Sequence, residues 1–449
     1  MLVNFRFENF LSFSELTTFT MTLGKSKLHK ENILNNDSIN LLKFAALYGA
    51  NASGKSNFIN AISFAQSIIL KGIESQPISR LYNRNQLENK DKQSKFEFEI
   101  MIGNKIFAYG FSILLSKAKI EQEWLYDVTS TETEIYTRSE EVTMNFDYLN
   151  FDDKSRTRLE IYSEDNVNNE TTLFLTSLNK GKNKMVTMDG NTVFSDLYDW
   201  FNNVLEVIAP NETTSEFGMT YHDKTFLGKL GEYLKNCDTG VETVLLEETQ
   251  ETLKGIPLGL EKKLREKIIS DFENLHDKSE MKKKALIRTP ESMYIFSYED
   301  NRVITSELKF NHGVNKINYS LNEESDGTIR LVELFSVLYN HKEKVFVIDE
   351  LDRSLHPLLT FDFVKKFLEK ENNQLIISTH EDRLLDLSLL RRDEIWFTKK
   401  DYRGNSILYS LEEYKERFDK NILNAYLDGR YGGIPEIGKI FPDIFNLTE

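Results

Sequence analysis

Apolar and polar positions alternate over residues 2–8 (Leu-Val-Asn-Phe-Arg-Phe-Glu), the period-two pattern of a half-buried strand. Three more alternating stretches, Phe96–Ile102, Lys105–Leu114 and Lys119–Tyr126, predict strands, and the turn Gly103-Asn104 joins the first two. Residues 41–48 (Leu-Leu-Lys-Phe-Ala-Ala-Leu-Tyr) form a largely apolar run suited to a buried strand. From Lys55 to Leu70 the spacing becomes helical, with Phe58, Ile59, Ile62, Phe64 and Ile68 largely on one side. From about 150 to 290 the pattern is more helical and polar, with Asn/Asp/Glu-rich stretches around 164–170. Strands return at Tyr294–Tyr298 and Val303–Phe310. A helix at about 327–340, an apolar strand Val345–Ile348, a helix over 358–370 and strands at Gln374–Ser378 and Glu394–Thr398 complete the pattern. Strand–helix–strand alternation at this spacing predicts an α/β fold with a parallel sheet.

A chain of 449 residues exceeds one small core and suggests several domains or one domain with a large insertion. The expected division is an N-terminal lobe over 1–150, a mainly helical insertion over 151–290 and a C-terminal lobe over 291–449. There is no tandem repeat and no long heptad run, which argues against long coiled-coil arms. Lys plus Arg number 56 against 71 Asp plus Glu, a formal net charge of −15, so nucleic acid binding would need a local basic patch. The clusters Lys262-Lys263-Leu-Arg265-Glu-Lys267 and Lys282-Lys283-Lys284 are the candidates; interspersed acidic residues make the first read as a solvated helix face. The single cysteine, Cys237, allows no intrachain disulfide. No apolar run approaches the ~20 residues of a membrane span, and the N-terminus lacks a signal-peptide pattern. The expectation is a cytoplasmic protein with no membrane partner.

Gly49-Ala-Asn-Ala-Ser-Gly54-Lys55-Ser56 fits G-x-x-x-x-G-K-[ST]. Glycines at its ends let backbone N–H groups curl around an anion, Lys55 can reach the β- and γ-phosphates, and Ser56 can ligate Mg²⁺. A helix starting near Lys55 aims its positive end at the phosphates. Asn51, Ser53 and Gly54 within the loop and Asn57 after it are further candidates for contact with ATP. A chance glycine-rich turn would satisfy the eight residues alone, but here an apolar strand precedes them and a helix follows.

Val345-Phe-Val-Ile348 ends in Asp349-Glu350. Asp349 at a strand end suits the Mg²⁺ shell, and Glu350 is placed to polarise an attacking water. An acidic strand end is common in parallel α/β proteins, so three neighbouring features decide its meaning. Leu351-Asp352-Arg353-Ser354-Leu355-His356-Pro357 resembles the D-loop of ABC-type ATPases of the RecF and SMC kind. Ile376-Ile-Ser378-Thr379-His380 is a strand ending in a histidine, similar to the switch histidine that senses γ-phosphate. Glu323-Glu-Ser325-Asp326-Gly327-Thr328 resembles a degenerate ABC signature, with Asp326 where a glycine is common. Ser325 and Gly327 at a helix N-terminus would meet the γ-phosphate held by a second protomer. The glutamine of a Q-loop is not placed; Gln122, a weak candidate, reads as an exposed strand residue.

The chain as a whole resembles a family of bacterial AAA/ABC-like ATPases from two-gene anti-phage systems: the abortive-infection AbiL-type and RloA-type ATPases, akin to the ATPase half of PARIS-like systems. The resemblance covers roughly 1–130 and 290–440. It is carried by Glu8-Asn9-Phe10-Leu11-Ser12-Phe13, Tyr48 to Asn57, Glu123-Trp-Leu-Tyr126, Glu324 to Arg330, Arg391-Arg-Asp-Glu-Ile-Trp-Phe397 and Tyr426 to Pro435. RecF-like proteins often carry Arg or Lys where this chain has Leu11. The resemblance implies an ATP-driven homodimer or larger homo-oligomer that controls an effector encoded beside it, often a Toprim-type nuclease. The 69 residues after His380 leave no room for a fused Toprim domain, so the expected nuclease is a separate chain. A RecF/SMC-like DNA repair or recombination ATPase is the alternative. An ABC transporter subunit fits less well, because the insertion is large and Ser354-Leu-His-Pro357 is RecF-like. A non-hydrolysing scaffold would not need Glu350.

Overall fold

Phe5 and Phe7 turn inward from the first strand, Leu2–Glu8, while Asn4, Arg6 and Glu8 face outward, as the alternation requires. This strand belongs to an antiparallel sheet of seven, in the order Val142–Met144, Thr133–Arg138, Lys119–Asp127, Lys105–Leu114, Ser94–Ile102, Leu2–Glu8, Thr17–Thr20. On its outer face Arg6 Nη1 bonds Glu97 at 2.7 Å and also reaches Glu99, cross-strand pairs of opposite charge. The structure is a computed structural model and describes residues 1–73, 77–179, 192–209, 224–249, 252–253, 256–257, 284–288, 293–299, 302–313, 317–340, 342–370, 372–414 and 422–432. The chain divides into two units, one formed by residues 1–210, 342–351 and 361–449, the other by 211–341 and 352–360.

The first unit also holds a six-stranded sheet, in the order Leu205–Ile208, Lys344–Ile348, Asn373–Ser378, Phe44–Tyr48, Ile395–Lys400, Ser406–Ser410. The first five strands are parallel and the last pairs antiparallel. The run 41–48 breaks at Lys43, whose N–H bonds Asn32 O at 2.9 Å. Leu41–Leu42 pairs instead with Ile33–Leu34, and only Phe44–Tyr48 enters the six-stranded sheet, all five of its residues buried.

The helix Lys55–Lys71 starts after Gly54 and stops at Gly72, whose φ of 80° is left-handed and whose N–H caps Ile68 O. Its buried face joins both sheets into one core: Phe58 meets Phe5, Phe7 and Phe19 of the antiparallel sheet at 5.1–6.1 Å, and the same cluster includes Leu47, Val347 and Ile376. Truncating Phe58 to Ala would cost about 3–5 kcal/mol.

In the second unit, Thr243–Glu248, Arg302–Asn311, Met293–Glu299 and Lys284–Arg288 form an antiparallel sheet in that order, and Tyr319–Ser320 adds to Arg302–Asn311. Its core joins that sheet to two helices, Lys224–Asn236 and Asp326–Tyr339, with Phe226 against Phe335 at 5.1 Å and Tyr339 at 4.9 Å. Between 151 and 290 the described residues hold the helices Asp153–Asn166, Phe174–Asn179, Val193–Asp199 and Lys224–Asn236, but also the strands Leu205–Ile208, Thr243–Glu248 and Lys284–Arg288. Leu205–Ile208 escapes a sequence reading because four residues are too few to display a period. No described helix is long and apolar enough to cross a membrane.

Candidate nucleotide-binding site

The phosphate loop leaves the end of Phe44–Tyr48 and enters its helix under tight steric control. A Cβ at Gly49 would lie 2.4 Å from Thr398 Oγ1, and one at Gly54, where φ is 126°, would lie 2.3 Å from Ser406 Oγ. Only glycine fits either position. Ala52 holds a left-handed φ of 62°, an unusual conformation for a residue with a side chain. Lys55 is buried, and its Nζ donates to Gly49 O at 2.7 Å, so the ammonium is folded back over the loop's own backbone. Ser53 Oγ lies 2.6 Å from Thr398 Oγ1 and Asn57 Nδ2 donates to Ser12 Oγ at 2.7 Å, so both side chains already hold the loop in place. Asn51 is exposed.

The strand order brings the acidic pair to the same edge. Asn373–Ser378 lies between the phosphate-loop strand and Lys344–Ile348, with Ser378 level with Leu47 and Ile377 level with Ile348. Parallel strands end together, so the loop after Tyr48, the pair Asp349-Glu350 and His380 all emerge at the carboxyl ends of adjacent strands, where α/β sheets bind ligands. Ser378 Oγ donates to Asp349 Oδ1 and accepts the Glu350 N–H at 2.8 Å. Asp349 N donates to Ile208 O at 3.1 Å, and Leu351 N to Ser378 O at 3.1 Å. Asp349 is buried, Glu350 is partly exposed, and His380 is exposed just beyond the buried Thr379. Glu350 takes a left-handed φ of 49°, a strained state for a β-carbon residue and one that clusters at working sites. A hydroxyl at Ser56 and a carboxylate at Asp349 are a donor set suited to Mg²⁺, a hard cation that binds through oxygen.

Ser325, Gly327 and Asp352 belong to the second unit. Ser325 caps the helix Asp326–Tyr339 and accepts the Thr328 N–H at 3.1 Å. A Cβ at Gly327 would lie 3.0 Å from Ser354 O, so the signature turn packs against the segment after Asp352. Asp352 O accepts the Leu355 N–H at 3.1 Å, and Ser354 turns at a φ of 59°.

Sequence reasoning missed Thr398 and Ser406, which brace the loop from the strand pair Ile395–Lys400 and Ser406–Ser410. Thr398 left a faint signal, a hydroxyl in an otherwise apolar run; Ser406 left none. Gln122 is an exposed strand residue opposite Ser112 in the antiparallel sheet. In the tail, Tyr426 and Tyr431 stack on Phe397 at 5.6 and 5.4 Å, and Tyr426 also meets Tyr48 at 6.1 Å. Residues 433–435 of that motif, the cluster 262–267 and Lys282–Lys283 lie outside the described residues, while Lys284 begins a strand.

Residues 44–165 and 241–386 match the model of a family described as "AAA domain, putative AbiEii toxin, Type IV TA system". No curated protein sequence matches the chain. Among solved structures it is similar to an SMC head bound to the C-terminal winged-helix domain of ScpA (12% identity, 92% of this chain and 98% of that one, TM-score 0.39). It is also similar to the SMC head domain from Thermotoga maritima (12%, 91% and 98%, TM-score 0.35) and to RecF with ATPγS (13%, 92% and 98%, TM-score 0.34).

Proposed function

This chain belongs to that AAA-domain ATPase family, and we propose that it is an ATP-hydrolysing switch, the cytoplasmic ATPase subunit of a bacterial abortive-infection system that controls a separately encoded nuclease of the Toprim type. One observation carries the ATPase part of this reading: a glycine-bounded loop, two carboxylates and a histidine end on one edge of a parallel sheet, with Ser378 bonded to both members of the acidic pair. The family's description, which names a toxin of a toxin–antitoxin system, supports the defence part.

In this reading the loop amides cradle the α- and β-phosphates and Lys55 reaches the β- and γ-phosphates. Ser56 and Asp349 would hold Mg²⁺, which when bound neutralises phosphate charge. Glu350 accepts a hydrogen bond from the attacking water and polarises it toward the γ-phosphate. His380, at the end of the middle strand, contacts the γ-phosphate and reports its loss. Ser325, Gly327 and Asp352 of a second copy close the site, so the working form is a homodimer or larger homo-oligomer. The test compares two variants. Lys55→Ala should lose ATP binding, and Glu350→Gln should keep binding but hydrolyse far more slowly and accumulate as the ATP-bound oligomer. Wild-type affinity in the first or wild-type turnover in the second would remove the site assignment.

A further inference from the structure

Strand Ile395–Lys400 runs parallel to the phosphate-loop strand, with Phe397 level with Tyr48. Thr398 therefore stands beside the loop, in contact with Ser53 Oγ at 2.6 Å. Alternation along the strand sends Lys400 to the same face as Thr398, two residues farther on. Its ammonium donates to Ser406 Oγ at 3.0 Å. That hydroxyl lies 2.5 Å from the Ser53 carbonyl oxygen and 2.8 Å from Ser12 Oγ, to which Asn57 Nδ2 donates. Lys400 is thus one hydrogen-bonded step from the phosphate loop, on the flank where the helix residue Asn57 is anchored.

The turn that follows Lys400 is fixed. Asp401 Oδ1 accepts the Arg403 and Asn405 amides at 2.8 Å each, and Asn405 Oδ1 accepts from Asn83 and Asn85 at 3.2 and 3.0 Å. Asn83 N donates in turn to Asn9 Oδ1, so the turn is tied to the one after the first strand. Among the described residues Lys400 forms no ion pair, and Ser406 is its single hydrogen-bond partner. Its side chain is nevertheless exposed, and burial of part of it pulls the ammonium below the ordinary lysine range, against Asp401, which raises it. A cation on a rigid strand beside an anion cradle, in no ion pair among the described residues, is placed to receive negative charge. Lys55 reaches the β- and γ-phosphates and Ser56 their metal, so the α-phosphate, cradled by loop amides, is the one without a cation of its own. We propose that Lys400 is a nucleotide-binding residue whose ammonium meets the α-phosphate of the nucleotide held at Gly49–Ser56.

This inference rests on the nucleotide reading given above, and the experiment separates the two. Dissociation constants for ATP and for ADP are measured on the full chain as wild type, Lys55→Ala, Lys400→Met and Lys400→Arg, with melting curves of each without nucleotide. Lys400→Met should weaken ATP and ADP by the same factor, about ten- to a hundredfold for the loss of one charge-assisted hydrogen bond. Lys400→Arg should restore most of the affinity, and neither variant should move the nucleotide-free melting point. Unchanged affinities in Lys400→Met would overturn the inference while leaving the site. Loss of ATP but not ADP affinity would overturn it in favour of a γ-phosphate contact. A lowered melting point with no rescue by arginine would reduce Lys400 to a brace for Ser406. A wild-type chain that binds neither nucleotide would remove the nucleotide reading and this inference with it.

Discussion

Ser378 Oγ donates a hydrogen bond to Asp349 Oδ1, the carboxylate at the end of the neighbouring strand, and the same hydroxyl accepts one from the Glu350 amide. One side chain on the middle strand thus fixes both the proposed metal ligand and the backbone turn that aims Glu350.

Ser378→Ala should therefore damage catalysis without touching the phosphate loop. Both Ser378 and Asp349 are buried, so the alanine leaves a carboxylate oxygen and an amide short of a partner, a loss of about 1–3 kcal/mol in stability. Turnover should fall about tenfold or more as Glu350 loses its fixed turn, while ATP affinity changes little. Urea denaturation and steady-state hydrolysis measured on the same variant check both halves; wild-type turnover would show that the hydroxyl does not position the acidic pair.

Gly54→Ala should be severe for a steric reason. The added Cβ would meet Ser406 Oγ at 2.3 Å and Cβ at 2.8 Å, at a φ of 126° that L side chains rarely adopt. The loop must shift off the strand pair, and ATP binding should fall below detection while the far-ultraviolet circular dichroism stays near that of the wild type. A variant that binds ATP normally would mean the loop can relax away from Ser406.

Mixing two inactive variants tests whether the site is shared between copies. Lys55→Ala removes the phosphate cation, and Ser325→Arg puts bulk and charge at the helix cap proposed to close the site from outside. Some mixed interfaces pair an intact Lys55 side with an intact Ser325 side, and ATPase activity should return on mixing. If the two chains co-assemble and activity stays absent, Ser325 does not serve a composite site.

Glu394 gives the protein a pH-dependent stability. Burial pushes its carboxyl from the ordinary 4.5 up to about 8, helped by nearby Asp393 and opposed by the Arg391 N–H, the Asn32 amide and the charge of Arg391. Oε2 accepts from Arg391 N at 2.6 Å and from Asn32 at 3.1 Å, while Oε1 has no hydrogen-bond partner among the described residues. Because the folded-state pKa is raised, the protonated group's contribution is complete below pH 4.5 and is lost as pH rises through 8, on the order of a few kcal/mol in all. Glu394→Gln should flatten that decline, so its stability relative to wild type should rise between pH 5 and pH 8.5. Parallel pH profiles for the two proteins would show that Glu394 ionises normally.

Local pattern was enough for the elements that carry the site. The helix expected from Lys55 runs Lys55–Lys71, and the strand expected at Val345–Ile348 runs Lys344–Ile348, because helical and buried-strand periods appear within a few consecutive residues. The loop Gly49–Ser56 and the pair Asp349-Glu350 were legible for the same reason: their chemistry is contiguous in the chain. Their adjacency was not, since about 300 residues separate them and only the placement of Asn373–Ser378 between their strands sets the carboxylates beside the loop. Thr398 left only a faint signal and Ser406 and Lys400 left none, because a hydroxyl or an ammonium in a strand has no period of its own. Strand order and register, which are decided by packing across the whole sheet, bring Thr398 and Ser406 against Gly49 and Gly54 and leave Lys400 one hydroxyl away from the loop.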